Sequence, residues 1–436
     1  MIPNARIPLY QCLTLCLGAA LSFPALSADN TALMGLLKVL RDKGTLSDAE
    51  YQALVQAAAG DQEKAEETGK AVAAVSDKVG TLEQNSKALA ALSDNVDAMA
   101  WARKVRLTGD MRNRFEHIST DNQHDRSRAR LRYRLGIIAN PVEQIEVGAG
   151  LASGSADPRS TNQTFSDTFS SKSINLDYAY TQVSTPLGSG NAKAIAGKFK
   201  FGDYLWLSDD LLWDSDITPE GVSIDYAVDS ELGKTFANAG VWVLGEFGND
   251  SNDPYVVYGQ LGQKFGADDL FATLAGTYYS FSDIRPGTTG GLRGGNIGTF
   301  SAGTNTDHRF DVVTLNAELG SKRLFGSDWT GSLFGSYVNN TDTSSNQDTG
   351  FSLGANLGKG PLSFKYLYGN LDANAFLDIF PDSDRFGGAT DVRSHELEVA
   401  YKIHKNVTLS VDYYHNERKS LGTDQDLLQT DISVKF

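Results

Sequence analysis

The sequence predicts an all-β protein, a transmembrane antiparallel β-barrel of about 16 strands preceded by a helical hairpin and a coiled coil. Three observations carry that prediction. In the stretch 126–138 the even positions Arg126, Arg128, Arg130, Arg132 and Arg134 are cationic, while Ala129, Leu131, Tyr133, Leu135 and Ile137 are small, apolar or aromatic. Such a period of two describes a strand with one greasy and one charged face. Similar runs recur from Trp101 to the C-terminus, each of about the ten residues that a tilted membrane-crossing strand needs. The connections between them alternate between short turns and longer polar loops.

Composition narrows the class. Of 436 residues 41% are hydrophobic, mean hydropathy is -0.29, and no run beyond the N-terminus approaches the roughly 20 apolar residues of a membrane helix. A helical membrane protein is excluded. Glycine (43), tyrosine (17) and phenylalanine (21) are plentiful and proline (11) is scarce, which suits strands joined by glycine-bearing turns. A net charge of -15 argues against a nucleic-acid partner despite the arginine run.

Residues 1–28 read as a cleaved signal peptide, with Arg6 as a basic start, an apolar stretch from Ile7 to Phe23 and small residues at the exit. Cys12 and Cys16 both fall in it, so the mature chain is expected to have neither a disulfide nor a cysteine metal site. Leu15, ahead of Cys16, argues against lipid attachment. Residues 29–60 read as a helical hairpin. Leu33, Leu36, Leu37 and Leu40 form a stripe, Gly44 is a stop, and Ser47 with Glu50 makes a capping box that opens the second helix. The segment resembles small bacterial oligomerisation hairpins, but a local packing unit is the reading we prefer. Residues 61–101 read as a coiled-coil segment: Val72, Val75, Val79, Leu82, Ser86, Leu89, Leu92, Val96 and Met99 recur at spacings of three and four. A single amphipathic linker helix is the alternative there.

Residues 102–436 form the barrel region. Its greasy sets include Val105, Leu107, Met111 and Phe115; Ile174, Leu176, Tyr178 and Tyr180; Val222, Ile224 and Tyr226; and Leu409, Val411 and Tyr413. The breaks between runs define about sixteen strands, an even number as a closed barrel with both ends on one side requires. The runs 234–247 and 270–281 alternate less cleanly, which leaves a margin of about two strands. The chain closes on Leu428, Thr430, Ile432, Val434 and Phe436, an alternating strand with a terminal aromatic.

With these features the chain resembles the bacterial outer-membrane porins, specifically the putative porins that carry a helical, coiled-coil segment ahead of the barrel. The match is anchored on the strand 107–116 and on 126–136, and it spans 105–436. The resemblance implies passive diffusion of small hydrophilic solutes and ions, residence in the bacterial outer membrane amid its lipid and lipopolysaccharide, and a homotrimer. It implies no cofactor. The helical segment would then lie in the periplasm, and a cell-wall or periplasmic partner for it follows as an expectation.

Site residues follow from the alternation. Arg106, Arg112, Arg114, Arg126, Arg128, Arg130, Arg132 and Arg134 are expected to line the pore, with Asp110 and Glu116 among them, because an arginine at the lipid midplane costs roughly 2–4 kcal/mol. The loop 202–219 mixes Asp203, Asp209, Asp210, Asp214 and Asp216 with four leucines and two tryptophans, an odd composition for a solvated loop. In porins the third loop folds inward, and this one is third by our strand count. It is therefore expected to form a constriction, its apolar residues on the inner wall and its carboxylates facing the arginines; packing at the rim or against another subunit is the alternative. Selectivity stays open, since arginines favour anions and the acidic loop favours cations.

No catalytic residue is expected. The six histidines lack metal-ligand spacing, and neither a Gly-x-Ser-x-Gly nor a phosphate-binding glycine motif is present. Asp382 to Asp384 could hold calcium, but a solvated loop is the reading we prefer, and no metal is expected. The competing functional class is a structural envelope protein, a barrel anchor whose coiled coil of about 40 residues would reach about 60 Å as a periplasmic tether. A soluble extracellular β-protein on a coiled-coil stalk is a third.

Overall fold

The computed structural model describes residues 30–98, 104–155, 157–166, 168–246, 253–284, 305 and 309–436. The expected signal segment lies outside the described residues. Two units emerge, Met1–Met99 and Ala100–Phe436.

The first unit holds α1 (Asn30–Asp42) and α2 (Asp48–Ala98). Gly44, at φ +72°, takes the left-handed conformation that ends α1, and the Thr45 amide reaches back to the Leu40 carbonyl at 3.0 Å. The capping box forms as expected, with the Ser47 amide donating to Glu50 at 3.0 Å and the Glu50 amide to Ser47 Oγ at 3.3 Å. Leu37 and Ala58 are buried between the helices. α2 then runs unbroken through Gly60 and Asp61, where we drew the boundary between hairpin and coiled-coil segment; one helix carries both. Along it Val72, Val75, Leu82 and Leu89 stay exposed.

The second unit is a closed, 16-stranded antiparallel barrel, which bears out both the fold class and the strand count. Its first half comprises β1 (Val105–Thr120), β2 (Arg126–Val142), β3 (Ile145–Ser153), β4 (Ile174–Leu187), β5 (Gly190–Lys198), β6 (Glu220–Ser230), β7 (Gly233–Val243) and β8 (Tyr255–Ala267). The second half comprises β9 (Leu270–Ser282), β10 (Phe310–Ser321), β11 (Thr330–Asn340), β12 (Thr349–Lys359), β13 (Leu362–Leu371), β14 (Val392–His404), β15 (Val407–Arg418) and β16 (Thr423–Lys435). Each strand pairs with its chain neighbours, and β1 pairs with both β2 and β16, so no edge remains. At the seam Phe436 and Gly109 exchange backbone hydrogen bonds of 2.9 and 3.0 Å.

Burial separates the two faces of the wall. On β1, Leu107, Met111 and Phe115 face outward and are exposed, while Asp110, Arg114 and Glu116 are buried inside. A soluble sheet would do the reverse. One expected face is corrected by a bulge: Gly150 of β3 faces Tyr178 while Leu151 faces Leu176, which leaves Asp177 as an extra residue on β4. Side chains switch face there, so Ile174 and Leu176 stay outward while Tyr178 and Tyr180 turn inward. Tyr180 then donates to Glu146 at 2.8 Å.

The blurred alternation in 234–247 and 270–281 also has a cause. Inward residues of β7 to β11, among them Trp242, Val256, Tyr258, Tyr279, Phe281, Phe310, Val312 and Val338, belong to one buried apolar cluster inside the barrel. These strands are apolar on both faces because loops cover their inner side.

Candidate pore and constriction

On one side of the lumen, β1 and β2 set Arg112 opposite Arg132 and Arg114 opposite Arg130. Like charges directly opposed are unfavourable, and carboxylates offset them. Glu116 takes Arg128 and, at 3.2 Å, Arg130. Asp110 accepts from Arg132 at 2.9 Å and Arg134 at 2.7 Å. Asp431 of β16 accepts two hydrogen bonds of 2.8 Å from Arg114 and lies 3.5 Å from Arg112. Arg106 and Arg126 are exposed near the two ends of this ladder.

The loop 199–219 folds inward. Tyr204, Leu205, Leu211, Leu212, Trp213 and Ile217 are all buried against the apolar half of the wall. Its aspartates separate by task. Asp216 lies 3.2 Å from Arg134 and 3.9 Å from Arg132, and accepts from the Thr161 amide and hydroxyl at 3.0 and 2.9 Å. Burial opposes its ionisation, but the two guanidinium groups outweigh that and hold it below the usual carboxylate range. Asp214 accepts from the Ser383 and Asp216 amides, each at 2.9 Å. Burial first, and then the Asp216 charge, push it up to about 8. Asp210 receives Arg385 at 3.1 Å; Lys365 and Arg385 overcome its burial and lower it to about 2. Asp209 holds the opposite wall, accepting from Ser352 at 2.6 Å and Ser336 at 3.5 Å. Asp203 is exposed beside Lys193, Lys234 and Lys264 in a separate pocket of about 170 Å³.

A second inward loop was missed. Residues 372–391 bury Ala375, Phe376, Leu377, Ile379 and Phe380 against the first loop. Phe380 stacks on Trp213 at 4.5 Å between ring centroids, and the Asp214 amide donates to the Phe380 carbonyl at 2.8 Å. The solvated reading of Asp382 to Asp384 is therefore corrected: Asp382 is buried, and Asp384 lies 3.4 Å from Arg114. Arg385, 2% exposed, joins Asp210, Asp382 and Glu396. The signal was available, since five apolar residues in 375–380 are as odd for a solvated loop as the tryptophans of 202–219. Arg159, on the loop after β3, ties that loop to 372–391 by donating to the Gly388 carbonyl at 3.0 Å.

Between the arginine ladder and these loops lies a polar cavity of about 300 Å³. It is lined by Arg112, Arg114, Arg132, Arg159 and Lys365 against nine carboxylates, among them Asp210, Asp214, Asp216, Glu398 and Asp412. Carboxyl groups therefore outnumber cationic ones in its lining although a basic wall borders it. Among the described residues no group of three or more His, Cys, Asp or Glu side chains is arranged to hold a metal ion.

No curated protein matches the chain. Solved structures of two variants of Rhodopseudomonas blastica porin align at 10% identity, with TM-scores of 0.42 and 0.43, covering 76% of this chain and 100% of theirs. A triple mutant of the same porin aligns at 10% identity and 0.42, over 76% of this chain and all of its own. A family model described as Putative porin matches residues 118–292, from the end of β1 into the loop after β9. That match spans less than half of the chain and lies within the closed barrel; it shows a likeness to the putative porins, the family its sequence resembles.

Proposed function

We propose that the barrel is an outer-membrane porin through which small hydrophilic solutes and ions diffuse passively. The observation that carries this reading is the inverted wall, apolar outside and charged inside, around a polar cavity framed by inward loops. In this reading Arg112, Arg114, Arg128, Arg130, Arg132 and Arg134 line the water-filled path, with Arg106 and Arg126 toward its ends. Asp210, Asp214 and Asp216 narrow the path from the loop side, while Asp209 and Asp203 anchor the loop and line a side pocket. Paired opposite charges across a narrow polar passage orient dipolar solutes and slow none by hydrophobic contact. The barrel sits among outer-membrane lipid and lipopolysaccharide as a homotrimer, and the exposed valines and leucines of α2 pair with other copies as a periplasmic coiled coil. The family match and the fold favour a channel over an enzyme.

Reconstitution of the purified, folded protein into planar lipid bilayers tests this directly. Stepwise insertion of open, ohmic channels is expected. A folded protein that inserts and never conducts would overturn the reading.

A further inference from the structure

We propose that Glu398, Asp412 and Gln429 form a cation-binding station in the lumen that makes the pore prefer cations, including small solutes bearing an ammonium group. The proposal rests on the channel reading above. The three residues belong to adjacent strands β14, β15 and β16 and stand in one register row, Glu398 opposite Asp412 and Asp412 opposite Gln429. All three line the polar cavity.

Each has unused acceptor capacity. Glu398 and Asp412 have no cation within ion-pair distance among the described residues. Lys365 is the register partner of Glu398 on β13, yet its ammonium turns to Glu396 at 2.7 Å and Asp210 at 4.0 Å. Asp412, 8% exposed, accepts a single hydroxyl, Ser410 Oγ at 3.2 Å. Gln429 is 1% exposed; its amide nitrogen donates to Asp384 at 2.9 Å while its buried carbonyl oxygen has no partner among the described residues.

Two carboxylates directly opposed across neighbouring strands repel, with Cβ atoms about 5 Å apart. The arginines of the cavity's basic ladder are already held by other carboxylates, Arg112 and Arg114 by Asp431 and Arg132 by Asp110, so none pairs with Glu398 or Asp412. A mobile cation resolves both problems, since it neutralises the pair and takes the orphan amide oxygen as a third hard donor. The surplus of carboxylates in the cavity adds to the same preference, and the arginines, tied to their own acids, do not reverse it.

Reversal potentials in a potassium chloride gradient across planar bilayers measure the potassium-to-chloride permeability ratio. The wild-type ratio should exceed one, and the double variant E398Q/D412N should lower it by about threefold or more. The single variants E398Q and D412N should each show part of that loss, which keeps the test open if the double variant does not assemble. Wild-type conductance should also saturate with potassium concentration and do so less in the variants. A conducting wild type that prefers chloride, or variants with an unchanged ratio, would overturn the station and leave the channel standing. Absence of any conductance would remove the channel and the station with it.

Discussion

Asp214 joins the two inward loops, and its protonation is written into that junction. Burial beside Asp216 raises its carboxyl from 3.8 to about 8. The docked loop thus holds a proton that a released loop, with an ordinary aspartate, gives up at lower pH. Its contribution to docking is complete below the unfolded value near 3.8 and is lost as pH rises through about 8. Asp210 has the opposite sign, but its lowered value of about 2 keeps it ionised through the neutral range. Limited proteolysis of the folded barrel should therefore cleave within 199–219 faster at alkaline than at mildly acidic pH. Asp214→Asn should flatten that profile, and an equally steep profile in the variant would refute the assignment. This residue's role was not legible in the sequence, where Asp214 was one of five aspartates on a loop. What separates the five is which neighbours the fold brings to each: guanidinium groups for Asp216 and Asp210, serines for Asp209, another carboxylate for Asp214, and lysines for Asp203.

At the scale of elements, the loops behave as parts of a core. Trp213 contacts Trp242 at 5.4 Å, Phe376 at 5.5 Å and Phe380 at 4.5 Å between ring centroids. Truncating a buried aromatic typically costs about 3–5 kcal/mol. Trp213→Ala should loosen 199–219 and 372–391 together, giving a larger unit conductance and cleavage in both loops. Conductance and cleavage both at wild-type level would show that the loops are held by their polar contacts alone. The inward course of 199–219 could be expected because tryptophans and leucines sat among its aspartates. The same reasoning applied to 375–380 would have found the second loop, but a run of acids at 382–384 drew the reading toward solvent. Capping of α2 was legible because Ser47 and Glu50 act within one turn, whereas the face switch at Tyr178 was not, because a bulge depends on how β3 pairs with β4.

For the whole molecule, closure of the barrel is the cooperative event, and a buried ion pair crosses the seam. Arg114 on β1 and Asp431 on β16 are 6% and 4% exposed and share two hydrogen bonds of 2.8 Å. Removing Arg114 leaves the buried Asp431 with only its longer 3.5 Å contact to Arg112, and breaking a buried pair costs about 3–5 kcal/mol. Arg114→Met should accordingly lower the temperature at which the barrel loses its compact mobility in unboiled gel electrophoresis. Asp431→Asn added to it should recover part of that loss, and a double variant no better than the single would argue that Arg114 acts by packing.

The sequence alone determined the class of the protein. Period-two alternation, strand lengths near ten residues and a short-and-long rhythm of connections are local properties, and they sufficed for a closed barrel of sixteen strands and for the inside of β1 and β2. Tertiary structure decided what the inside contains. Whether an arginine is free or bound to an acid depends on residues hundreds of positions away, as with Arg114 and Asp431, and strand register supplies that proximity. The arginine run at 126–134 therefore does not set the charge of the cavity. Each of its members at the ladder's centre meets a carboxylate, and the acids left over on β14 and β15, set side by side by pairing, determine the sign.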